Sequence, residues 1–95
     1  MSVIRLLPDE TELVGRWKSQ DGRMVADETA ERITALVRDW LKPVSGGGWE
    51  RLLQDPSDGR FWEMTYPMSE MHGGGPPALR VISADEARGK YKVDV

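Results

Sequence analysis

The chain has no cysteine and only one histidine among its 95 residues. Without cysteine the fold cannot rest on disulfides, and thiolate metal sites and cysteine nucleophiles are excluded. One histidine among scattered carboxylates does not give metal-ligand spacing. Nor does any apolar run approach the length of a membrane-spanning helix. The apolar opening Met1-Ser2-Val3-Ile4-Arg5-Leu6-Leu7 is cut off by Pro8-Asp9-Glu10 before a signal-peptide core could form, so a cytoplasmic protein with no membrane partner is expected. Positive charge is not in excess either. Thirteen basic residues face sixteen acidic ones, for a net charge of −3. Phosphate contacts need a basic surface, so nucleic acid is not the expected ligand, whereas a basic protein partner is permitted. No lysine follows Ser45-Gly46-Gly47-Gly48 as a phosphate loop requires, and there is no Gly-x-Ser-x-Gly nucleophile elbow. Asp55-x-Ser57-Asp58-Gly59 lacks both the glycine placement and the closing glutamate of a calcium loop. No cofactor is expected.

What the chain does contain is a modest core's worth of apolar residues, 39% of the total, with four tryptophans. That is enough for one domain spanning residues 1–95. Leu13 to Lys18 reads as one strand. Asp21-Gly22 is a two-residue hairpin turn, returning through Met24-Val25-Ala26. Asp27 is a helix N-cap, with Glu28 and Glu31 in the first turn, where the helix dipole favours them. Ile33, Leu36, Val37, Trp40 and Leu41 then recur at the spacing of one buried stripe, and Pro43 is expected to end the helix near Lys42. Ser45 to Gly48 reads as a flexible connector. Trp49 to Gln54 and Arg60 to Tyr66 form a second hairpin around Asp55-Pro56-Ser57-Asp58-Gly59. Both faces of the second strand are partly apolar, which places it centrally in a sheet. Leu79 to Ile82 is a further strand. Ser83-Ala84-Asp85-Glu86 reads as a capping box opening a short C-terminal helix. The predicted class is α+β: a small antiparallel sheet built from hairpins and packed against one main helix, with both helices on one side.

The stretch from Asp55 to Pro77 concentrates glycine, proline and aromatics, and so specifies a shape rather than a tether. Asp55-Pro56, Asp58-Gly59-Arg60, Trp62-Glu63, Thr65-Tyr66-Pro67, Ser69-Glu70 and His72-Gly73-Gly74-Gly75-Pro76-Pro77 together resemble the immunity protein 27 family of bacterial polymorphic toxin systems. The likeness extends upstream through Glu12-Leu13-Val14-Gly15-Arg16-Trp17, Asp27, Arg32-Ile33 and Gly48-Trp49-Glu50, and downstream to Glu86-Ala87-Arg88 and Lys90-Tyr91. It implies a non-enzymatic inhibitor whose partner is the C-terminal toxic domain of a neighbouring effector, blocked inside the producing cell. Under it the acidic positions Glu28, Glu31, Asp55, Asp58, Glu70, Asp85 and Glu86, with His72, become candidate contacts to a basic toxin. Gly73, Gly74, Gly75, Pro76 and Pro77 form a structural loop. The alternative is a small enzyme or ligand-binding domain using the His72 loop, since His72 is the one side chain that titrates near neutral pH. No nucleophile, base and orienter can be named around it.

Overall fold

The computed structural model describes residues 5–47, 50–67 and 75–94. Its elements are β1 Glu12–Val14, β2 Trp17–Gln20, β3 Arg23–Ala26, α1 Glu28–Asp39, β4 Lys42–Gly47, β5 Glu50–Gln54, β6 Phe61–Thr65, β7 Ala78–Ile82 and α2 Ala84–Tyr91. Five strands form one antiparallel sheet in the order β1-β7-β6-β5-β4, while β2 and β3 make a separate two-stranded ribbon. The architecture is α+β.

β6 occupies the middle of the sheet, and its alternation divides the core in two. Leu53 pairs with Trp62, and Trp62 with Val81; Met64 pairs with Leu79. These side chains pack with Ile33 and Leu36 of α1 and with Leu6 and Leu41. The neighbouring residues Leu52, Phe61 and Ile82 point the other way and meet Ala87, Tyr91 and Val93. The two helices therefore cover opposite faces, not the single side that the sequence pattern predicts. The reason is chain length. Ser83 caps α2 immediately after Ile82, so no residues remain to carry the chain round the sheet edge. Fully burying a side chain such as Leu53 or Leu79 stabilises by roughly 1.5–3 kcal/mol.

Asp27 caps α1 as expected, its carboxylate accepting the Ala30 N–H at 2.8 Å. The helix stops at Asp39 rather than near Lys42. Trp40 leaves helical geometry and is half-buried, and Leu41 turns into the core. Lys42 to Gly47 then pair with β5, so the glycine-rich stretch read as a connector is an edge strand. Pro43 sits in it beside a register irregularity, which suits a residue without an N–H at a sheet edge.

The single strand expected from Leu13 to Lys18 is two strands in two sheets. The break falls at Gly15, whose N–H donates to the Pro77 carbonyl at 2.9 Å. A Cβ there would lie 2.6 Å from that oxygen and 2.9 Å from the Ala30 Cβ, so only glycine lets the chain pass this closely. Beyond Gly15, Arg16 and Asp27 close the base of the ribbon: the Asp27 N–H donates to the Arg16 carbonyl at 2.9 Å, and the Arg16 N–H to the Asp27 carboxylate at 3.2 Å. The ribbon turns at Asp21 and Gly22, both with positive φ, which is the geometry a two-residue hairpin needs.

Candidate functional site

The sequence-predicted contact residues do not gather in one place. Glu28 and Glu31 project from the exposed first turn of α1. Glu28 pairs with Lys18 across the ribbon base, and that bond holds its carboxyl below the usual range. Glu31 has no ion-pair partner among the described residues. Asp85 is exposed on the opposite face in α2 and pairs with Arg88. Glu86 is exposed too, but its carboxylate takes Arg80 at 3.0 Å, while Ser83 alone accepts the helix N–H of Glu86, also at 3.0 Å. Asp58 closes its turn onto Arg60 at 2.6 Å.

Asp55 is fully buried. One of its oxygens accepts the Ser57 N–H at 2.8 Å, the Ser57 hydroxyl at 2.7 Å and the Trp40 indole N–H at 3.3 Å. It thus ties the β5–β6 turn to the end of α1. Glu70, His72, Gly73 and Gly74 lie outside the described residues. Of the expected loop, Pro76 is buried and Pro77 lies against Gly15.

Two features escaped sequence reasoning. The first is a charge network under α2. Glu63 is 1% exposed and central. One of its oxygens takes Arg80 at 3.1 Å; the other takes Lys90 at 2.6 Å and the Tyr91 hydroxyl at 2.8 Å. Lys90 reaches Glu50 as well. Burial pushes the Glu63 carboxyl up, but Lys90, Tyr91 and Arg80 outweigh it and hold it below the usual range. Glu50 and Glu63 raise the Lys90 ammonium, while burial and the Glu63 bond raise the Tyr91 phenol. Every polar atom of Glu63 is engaged, so this network docks a helix that buries little apolar surface of its own. The only sequence signal was a glutamate on an aromatic strand.

The second feature is a groove of about 500 Å³ between α1 and the ribbon, walled by Trp17 and Ala26 on one side, Thr34 and Ala35 on the other, with Tyr66 and Pro77 at its end. It runs into a second hollow of about 430 Å³ bounded by Val37, Arg51 and Met64. Glu31 stands on the rim of the first. This concavity exists because the break at Gly15 swings the ribbon off the sheet and over α1. Among the described residues no three or more acidic or histidine side chains cluster as for a metal ion. No helix is long and apolar enough to cross a membrane.

Fold and groove together define a small α+β protein with a concave, mainly apolar surface and, among the described residues, many charges paired with their neighbours. The chain belongs to the immunity protein 27 family, whose model matches residues 19–83. It is an immunity protein, a class whose partner is a toxin. The matched span takes in the end of β2, β3, α1 and the sheet from β4 to β7, and leaves residues 12–17 and 86–91, on which the resemblance also drew, outside it. No curated protein matches the chain, and no solved structure does.

Proposed function

We propose that this protein binds and neutralises the toxic C-terminal domain of a polymorphic effector encoded beside it, protecting the producing bacterium from within its cytoplasm. The family match over residues 19–83 carries this reading. Neutralisation is by occlusion, with no bond made or broken. The net charge of −3 and the exposed Glu28 and Glu31 suit a basic toxin surface, since complementary charge mainly speeds encounter and sets specificity. Co-expression of the neighbouring toxin domain with this chain in a bacterial host tests it. Growth should be restored only where the two proteins co-purify as a stoichiometric complex. Rescue by catalytic traces of the chain, without a complex, would replace occlusion with an enzymatic mechanism.

A further inference from the structure

We infer that the groove between α1 and the β2–β3 ribbon is where the toxin seats, and that the toxin segment it takes presents an apolar side chain between a basic and an acidic group. This rests on the inhibitor reading above. The register of the ribbon carries the apolar part. Trp17 pairs with Ala26 and Ser19 with Met24, so alternation puts all four on one ribbon face. Trp17 and Ala26 wall the groove. Ser19 and Met24 therefore prolong that wall outward, and among the described residues Met24, at 63%, is more exposed than Leu7, at 45%. An unbranched thioether adapts its shape to a partner, which suits a lip rather than a core.

The charges carry the rest. Most charged side chains near α1 and α2 are neutralised by neighbours: Glu10 by Arg32, Arg38 by Asp39, Arg88 by Asp85, and Lys90 by Glu50. Glu31 borders the first hollow and Arg51 the second, and neither has an ion-pair partner among the described residues. The two hollows share Thr34, Arg38, Tyr66 and Pro77, so they form one channel with Glu31, held in no ion pair among the described residues, towards one end and the likewise unpaired Arg51 guanidinium towards the other. A partner segment lying along this channel places a lysine or arginine over Glu31 and a carboxylate over Arg51.

The test uses the full chain and the toxin domain encoded beside it, with affinity measured by calorimetry and folding by thermal melting. Met24→Asp, Glu31→Lys and Arg51→Glu change exposed or half-buried positions, and each should weaken binding at least about tenfold, as loss of an interface anchor does, with little change in melting midpoint. Ala35→Arg, which fills the groove, should abolish it. Lys92→Asp, on the α2 side, should bind as wild type. Groove variants that bind like wild type while Asp85→Lys weakens the complex would overturn the assignment and leave the inhibitor reading intact. A wild-type dimer dissolved by Met24→Asp would overturn it too, giving the groove to a second copy of the chain. A wild-type chain that does not bind the toxin domain at all would sink both readings.

Discussion

Glu63 sits at 1% exposure on the central strand, yet the solvated ends of Arg80 and Lys90, 47% and 39% exposed, reach in to meet it. Desolvating the carboxylate is costly, and the three donors offset that cost only as a set. Glu63→Gln keeps the shape and the Tyr91 contact but removes the charge. It should destabilise the domain by about 1–3 kcal/mol, below the loss for a wholly buried pair because two partners remain partly solvated. Urea unfolding monitored by tryptophan fluorescence measures this. A change within about 0.5 kcal/mol, the range of ordinary surface substitutions, would show that apolar packing alone docks α2. At this scale the sequence was silent. Glu63 falls on the same strand face as Phe61 and Thr65, and only the position of α2 shows what its carboxylate meets there.

Among the elements, the ribbon depends most on one residue. Gly15 lets β1 end against Pro77 and Ala30 and lets the chain leave the main sheet, which creates the groove. Gly15→Ala would force the Pro77 carbonyl oxygen and the Ala30 Cβ, 2.6 Å and 2.9 Å from the new Cβ, to move. Overpacking of this kind costs typically 1–3 kcal/mol. The corresponding Gly22→Ala has open space around it and meets only the penalty of a left-handed backbone, about 1–2 kcal/mol. The two variants therefore separate by a second readout: Gly15→Ala should also weaken toxin binding because it displaces the ribbon, while Gly22→Ala should leave affinity near wild type. Equal affinities for both would mean that the ribbon's placement does not shape the binding surface. Of this region the sequence revealed the Asp21-Gly22 turn and the Asp27 cap, because both are local chemistry. It did not reveal the break, because Gly15 in an apolar run is equally consistent with a continuous strand.

For the whole molecule, the depressed carboxyls set the acid limit. Glu10 is lowered first by its bond from Arg32, Asp27 first by the Ala30 N–H, and Glu63 by its donors against burial. A lowered folded-state pKa contributes stability that is present above the unfolded value, 3.8 for aspartate and 4.5 for glutamate, and is lost as pH falls through the folded one. Stability should therefore hold from about pH 5 upward and decline below it, and Glu63→Gln should flatten that decline. At the alkaline end Lys90 and Tyr91 are both raised, so their contributions are complete below 10.5 and 10.0 and fade as pH rises beyond those values. Melting midpoints across pH trace both limbs; an acid limb unchanged in Glu63→Gln would show that Glu63 is not among its causes. The same surface charge predicts how the complex forms. Screening extends over roughly 8 Å at physiological salt, so added salt should slow association with the toxin domain and change dissociation less. Stopped-flow rates independent of salt would point to encounter driven by shape alone.

By itself the sequence determined the α+β class, the stripe of α1 and its cap, both hairpin turns, the central place of the Phe61–Thr65 strand and the immunity-protein family. Each of these is written in short-range chemistry: periodicity, capping side chains, turn residues, and a distinctive run of glycine and proline. Tertiary structure alone decided the rest. It moved the end of α1 back to Asp39, because pairing with β5 draws residues 42–47 into a strand. It buried Asp55, whose turn chemistry looks the same exposed or enclosed. It put α1 and α2 on opposite faces and swung the ribbon off the sheet to open a groove. Those outcomes depend on which distant atoms come within a few ångströms of one another, and no window of neighbouring residues contains that information.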